Sequence, residues 1–123
     1  MDMVGRSKLK GLHPDLVKVV NRAWEIAPGS FRVTEGLRTK ERQKELLDAG
    51  ATTTMNSRHI TGHAVDIAAE VAGKVRWDWP LYRNLAVVFK EAAKIEGVPI
   101  EWGGDWKSFK DGPHYQLPWR SYP

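Results

Sequence analysis

No cysteine occurs anywhere in the 123 residues. That excludes disulfides, thiolate nucleophiles and Cys-ligated zinc. Any metal must therefore be held by His, Asp or Glu. The same absence leaves the redox compartment open. No apolar run approaches the length that crosses a bilayer. The opening stretch MDMVGRSKLKGLHPDL has no apolar core of signal-peptide length. Lys and Arg outnumber Asp and Glu by 19 to 15, a net charge of +4, but they gather into no stripe or tail. A modest basic excess favours polyanionic partners in general. Without a basic stripe, nucleic acid is not an expected partner, and no stable membrane association is expected either. Repeats, low-complexity tracts and Pro/Gly/Ser linkers are missing too, so residues 1–123 read as one domain. A chain of this length buries a core without help from an oligomer, and a monomer is expected.

What is present reads as alternating helices and short strands. Pro14 suits a first helical turn, and Leu16, Val17, Val20, Ala23 and Trp24 share a face, which predicts a helix from Pro14 to Ile26. FRVTEGLR, Phe31 to Arg38, alternates like a strand. Thr39 caps a second helix, KERQKELLDAG, ended by Gly50. ATTTMNS is polar and aperiodic, hence a loop. HAVDIAA reads as a buried strand. WPLYRNLAVVFKEAAKIEG is the clearest helix, with Pro80 at its start and Gly97 at its end. VPIEWGGDW gives a short strand and a Gly-Gly turn, and GPHYQLP a last short strand. The expected class is α+β, a small antiparallel sheet with helices packed on it.

The chain has only four histidines, and two fall within SRHITGHAVD, Ser57 to Asp66. A turn at Gly62 would let Asp66 fold back beside His59, with Val65 and Ile67 pointing to the core and Asp66 to the opposite face. An acid inside AVDIA is costly unless a cation or hydrogen bonds satisfy it. Capping of backbone amides would satisfy it as well as a metal would. His114 sits in DGPHYQL, with Asp111 before it across a Gly-Pro turn. Alone, it reads as a half-buried structural histidine. Together these residues match what a metallohydrolase requires: three ligands, an open position and a nearby carboxylate as general base. Without thiols, a His/Asp/His set suits zinc best.

These same residues carry a family resemblance. SRHITGHAVD resembles the SxHxxGxAxD signature of zinc peptidases that cut peptidoglycan stem peptides, the D-Ala-D-Ala metallopeptidase group with its phage L-alanyl-D-glutamate endolysins and its hedgehog-like fold. EWGGDWKSFKDGPHYQL resembles the group's second signature, including Phe109. EGLRTKERQKELLDAG resembles the arginine-containing segment upstream, and GLHPDLVKVV the endolysin N-terminal helix. The phage endolysin subgroup is the nearest pattern. The resemblance implies one Zn2+ per chain on His59, Asp66 and His114. It implies Asp111 as general base, Arg38 facing the scissile carbonyl oxygen, and Ser57 holding polar groups of the substrate. It also implies bacterial peptidoglycan as partner, with hydrolysis of the L-Ala–D-Glu bond for host lysis. There is no separate wall-binding domain in this reading. Synthesis in the host cytoplasm without a signal peptide, and action in the periplasm after membrane permeabilisation, complete the expectation.

Other residues fit around this set. His63 lies inside the signature without being a ligand in its pattern, so it supports the site from behind or serves the fold. Gln43, a helical turn after Thr39, orients Arg38 or faces solvent. Trp102 and Trp106 flank the Gly-Gly turn and line a peptide groove or pack in the core. Glu35 and Glu101 are candidates for pairing and bracing. His13 is expected to cap or pack at the first helix. Two other functions compete: a D-Ala-D-Ala carboxypeptidase or dipeptidase of wall metabolism, and a non-catalytic zinc-binding recognition domain of the hedgehog type. Retention of both Asp111 and Arg38 argues for catalysis, since a domain that only binds needs neither.

Overall fold

The structure, a computed structural model, describes residues 3–52, 54–108 and 110–123; Phe109 of the second signature and Thr53 of the polar loop lie outside the described residues. In chain order the elements are α1 (Met3–Lys8), α2 (Pro14–Ile26), β1 (Phe31–Glu35), α3 (Lys40–Asp48), β2 (Ala64–Val71), β3 (Lys74–Arg76), α4 (Trp79–Glu96), β4 (Glu101–Trp102) and β5 (His114–Gln116). A single turn of 3-10 helix, Gly103–Asp105, follows β4. The mixed helix and antiparallel-sheet class is as expected.

β2 is the centre of the sheet. β1 pairs along one side of it, and β5 and β3 share the other, β5 at its N-terminal half and β3 at its C-terminal half; β4 closes the sheet against β5. Every pairing is antiparallel. Alternation along β2 sends Val65, Ile67 and Ala69 into the core, where they meet Phe31, Val33 and Tyr115 from the neighbouring strands. α2 and α4 pack together over this face. Phe89 of α4 stacks on Tyr115 with ring centroids 4.1 Å apart, which ties helix to sheet. In α2 the fully covered residues are Leu16, Val19, Val20 and Ala23, with Val17 and Trp24 at the margin. The buried stripe is thus centred nearer Val19 than the sequence pattern suggested.

The caps follow simple rules. His13 accepts a hydrogen bond from the Asp15 N–H through Nδ1 and so caps α2, and Thr39 accepts from Arg42 N–H and caps α3. Gly97 ends α4 in the left-handed region at φ 69°. Gly62 also takes a left-handed φ of 76°, and a Cβ there would lie 2.5 Å from the Gly11 carbonyl oxygen. That turn, tied by His13 N–H to Gly62 O at 2.8 Å, delivers His59 and β2 to the same side of the sheet.

Candidate metal centre and active site

Sheet register assembles the site. Asp66 of β2 stands directly opposite His114 of β5, so both side chains leave the same face, the one away from the core. On the other side of β2, β1 carries a bulge between Val33 and Glu35, which sets Glu35 opposite Asp66. A bulge re-aims side chains at a strand end, and here it turns Glu35 toward the cleft. His59 arrives from the loop before β2. One ligand atom from each of His59, Asp66 and His114 falls within 4.8 Å of the others.

Each histidine is oriented from behind. His59 Nδ1 lies 2.9 Å from the Gly36 carbonyl oxygen, so this nitrogen carries the proton and donates, and the lone pair resides on Nε2. His59 Nε2 is fully buried and makes no hydrogen bond among the described residues. It sits 3.2 Å from Asp66 Oδ1 with no hydrogen bond between them. His114 Nε2 lies 2.8 Å from Gln116 Oε1, and Nδ1 lies 3.0 Å from the same Asp66 Oδ1. With Nε2–H donating to Gln116, His114 also turns a lone pair inward. Gln116 is held in turn, its Nε2 donating to Glu101 at 3.3 Å. Two imidazole lone pairs and a carboxylate oxygen therefore face one another at short range. Such an arrangement needs a cation among them, a proton or a metal ion. An orphaned buried nitrogen and an all-N/O donor set fit a metal held by three protein groups.

Burial pushes the Asp66 carboxyl up, but the adjoining His114 and His59 imidazoles outweigh it and hold the group well below the usual carboxylate range. For His114 burial acts downward, and the bond to Asp66 overcomes it, leaving the imidazole above its ordinary value. The first shift keeps Asp66 an anion and the second favours a cation beside it.

These three residues line a cleft of about 450 Å³, together with Arg38, Ser57 and Asp111. Arg38 is clamped: Nε and Nη2 each donate to the Glu35 carboxylate at 2.7 Å, and Nη1 donates to Gln43 Oε1 at 2.7 Å. A guanidinium has five N–H groups, so two remain for a ligand. Gln43 is fully buried and donates to the Thr54 carbonyl at 2.6 Å, which fixes the polar loop to α3. Gln43 is therefore a brace for Arg38 and not a solvated helix residue. Asp111 reaches the cleft from the turn before β5, with its N–H bonded to Gly103 O at 3.0 Å. Burial is the main cause that raises its carboxyl above the usual range, Asp66 adds repulsion, and His114, His59 and Arg38 partly oppose them. Ser57 Oγ accepts from the His59 N–H at 3.2 Å and borders the cleft.

Two residues take one of the alternatives that the sequence left open. Trp102 is buried, its indole N–H donates to Gly112 O at 2.7 Å, and its ring stacks on Trp79; it props the Asp111 turn from inside instead of lining the groove. Trp106 does line the cleft, with its ring 5.2 Å from that of His114. His63 turns away from the ligands. Its Nδ1 meets Thr61 Oγ1 at 2.7 Å and its ring lies near His13 and Tyr122, on the Gly62 turn. The reason is local: Gly62 reverses the chain, so His59 and His63 leave it in different directions. Sequence reasoning missed Gln116, Arg58 and Trp119 on the cleft wall. Gln116 had a signal, since residues two apart on a strand share a face and His114 was already a candidate. Arg58 and Trp119 had none, because their meeting joins segments about sixty residues apart.

Comparison with known proteins identifies the family. A family model described as phage L-alanyl-D-glutamate peptidase matches residues 2–116. The L-alanyl-D-glutamate peptidase of Escherichia phage T5 is 32% identical over 108 residues, covering 85% of this chain and 79% of that one. The L-alanyl-D-glutamate peptidase of Listeria phage A118 is 39% identical over 90 residues, 73% of this chain but 31% of that protein. The chain thus spans about a third of the length of that relative. Among solved structures, the Serratia marcescens L-Ala D-Glu endopeptidase ChiX superposes with a TM-score of 0.94 at 47% identity, over 100% of this chain and 92% of that one. The chain belongs to the phage L-alanyl-D-glutamate peptidase family.

Proposed function

We propose that the chain is a zinc peptidase, one ion per chain, that hydrolyses the L-Ala–D-Glu bond of peptidoglycan stem peptides. Its biological setting, on this reading, is that of a monomeric endolysin acting on the wall during host lysis. The observation that carries the reading is the orphaned His59 Nε2 facing Asp66 and His114 in a cleft shared with Arg38 and Asp111. Family membership supplies the bond.

His59, Asp66 and His114 would hold the ion. Zinc bound there would supply Lewis acidity, acidifying the attacking water and polarising the scissile carbonyl. The residues of the chain do the rest. The Asp111 carboxylate takes a proton from the attacking water and returns it to the departing D-Glu amine, for which a raised carboxyl pKa is suited. Arg38 aims its two remaining N–H groups at the carbonyl oxygen as negative charge grows there, a contribution of about 3–4 kcal/mol per well-placed donor. Glu35 and Gln43 keep that guanidinium from swinging away. Ser57 and Trp106 border the bound peptide.

The test is digestion of purified peptidoglycan with product mass spectrometry, run beside metal analysis. Muropeptides with a new N-terminal D-Glu are expected, lost on chelation and restored by zinc. Release of free D-Ala instead would replace this bond with the D-Ala-D-Ala bond. Stoichiometric zinc with no cleavage of any wall would leave a binding domain.

A further inference from the structure

Arg58 is not used by the mechanism, and it is the one buried Lys, Arg, Asp or Glu among the described residues, 3% exposed. It is covered by a thin layer: the ring of Trp119 lies over the guanidinium, 4.0 Å from its central carbon to the ring centroid. One edge of the guanidinium is occupied. Nε and Nη2 donate to the Leu117 carbonyl at 3.3 and 3.0 Å, and Nη2 also donates to the Tyr122 carbonyl. Nη1 donates to no protein acceptor among the described residues, yet it is not among their fully enclosed unpaired atoms. Two N–H groups are thus left over. The cavity that Arg58 borders is the cleft of the metal ligands, where Asn56, Gln116 and Trp119 are its neighbours on the wall.

Within the cleft, Arg38 is matched by Glu35 and Asp66 lies beside two histidines, while the Asp111 carboxylate has no ion-pair partner among the described residues. Arg58 has no carboxylate within ion-pair distance among the described residues. Burial lowers its pKa, and the more distant Glu101, itself bound to Gln116, opposes this only in part. Neutral carbonyls satisfy donors but do not cancel a charge, and a covered cation without a counter-charge is costly. A planar fork with one edge fixed, one face stacked and one nitrogen free is preorganised for a carboxylate.

Resting on the proposed peptidase reading, we infer that Arg58 Nη1, beneath Trp119, is the anchor for a carboxylate of the substrate peptide. A glutamyl residue has two carboxyl groups, and the peptide chain consumes only one. Whichever continues the chain, the other remains an anion on the glutamyl unit. Arg58 directly precedes the ligand His59 and is tied to Leu117, the residue after Gln116, so it flanks the metal group at the end of β5 remote from Asp111. The site so defined selects acidic over amidated peptides. The carboxylate is that of the D-glutamyl unit or that of the peptide terminus, and the experiment separates the two.

Three synthetic peptides containing the L-Ala–D-Glu bond serve: the free acid, the carboxamide at the glutamyl carboxyl, and the carboxamide at the C-terminus. One of the amides is expected to lower kcat/KM of the zinc-loaded wild type by about tenfold or more, the worth of one charged hydrogen bond, and its identity names the carboxylate. In Arg58→Gln the ratio of acid to amide falls toward one. A merely structural Arg58 would lower all rates together and keep the ratio. Equal wild-type rates on all three peptides, or an unchanged ratio in Arg58→Gln, would overturn the inference. A measurement without a variant guards against misfolding: the guanidinium NMR signals of Arg58 in 15N-labelled wild type should shift with the D-glutamyl product peptide and not with its amide. If the zinc-loaded wild type cleaves none of the peptides, the peptidase reading fails, and the guanidinium shift alone decides the contact.

Discussion

Asp66 offers one oxygen to two histidines, at 3.2 and 3.0 Å. Its place was legible because an acid in the middle of AVDIA has to be accounted for, and the Gly-Pro turn before His114 marked the second half of the group. Gln116 escaped notice because a glutamine in a strand is ordinary until its neighbour two residues back becomes a ligand. Trp102 was legible as an aromatic beside the Gly-Gly turn, but which way it faced depended on Trp79, far along the chain. Two predictions belong to this scale. Asp111→Asn should retain zinc stoichiometry and thermal midpoint while hydrolysis falls by about 10²–10⁴-fold; full activity in that variant would remove Asp111 from the proposed mechanism. Glu35 gives a pH signature. Its bond to Arg38 is the largest influence and lowers its carboxyl below the ordinary 4.5, despite burial. The unfolded chain therefore binds the proton more tightly. The stabilisation is complete above the ordinary value and is lost as the pH falls through the lower, folded value. Wild type should exceed Glu35→Gln in denaturant midpoint near neutrality, with the gap closing in acid. A gap that is constant with pH would mean that the ion pair contributes nothing.

Among the elements, α2 and α4 were plain from the chain, because Pro at the start, Gly beyond the end and a one-sided apolar face all agree. α1, six residues long, shows too little periodicity to be seen. β3 was invisible for a different reason. The β2–β3 hairpin turns through Ala72 and Gly73, at φ 52° and 78°, where the sequence offers Ala-Gly and not the Asn-Gly that announces such turns. Ala72 is the non-glycine residue with positive φ among the described residues, and an L side chain in that region costs about 1–2 kcal/mol. Ala72→Asn should accordingly raise the unfolding midpoint, by up to about 1 kcal/mol in stability, with unchanged activity, since the hairpin borders no part of the cleft. A lowered midpoint in calorimetry would show that Ala72 is not strained. The β1 bulge had no sequence signal at all. It arises from the register with β2, yet it decides where Glu35, and through it Arg38, points.

On the scale of the molecule, the α+β class and a small antiparallel sheet with helices packed on it could be read from the alternation of patterns, whereas the order of the strands could not. Among the described residues no helix is long and apolar enough to cross a membrane. The proposed metal links the whole fold, because its ligands come from a loop and two strands. A ligand that binds only the folded chain stabilises it by RT ln(1 + [L]/Kd), about 4 kcal/mol at a thousandfold excess over Kd. Chelation should therefore lower the thermal midpoint as well as end hydrolysis, and titrating zinc back should restore both together. An unchanged midpoint would place the ion elsewhere or nowhere.

The central position of β2 bears on the order of events in folding. β1 precedes β2 by about thirty residues and β5 follows it by nearly fifty, so the ligand set closes only after the longest chain loop has been drawn in. Loop closure of that kind is slow and late. The ion then has nothing to seize on in the early chain, and it becomes a lock turned after assembly instead of a seed. In stopped-flow experiments zinc should leave the refolding rate nearly untouched and slow the unfolding rate, as expected for interactions absent from the transition state.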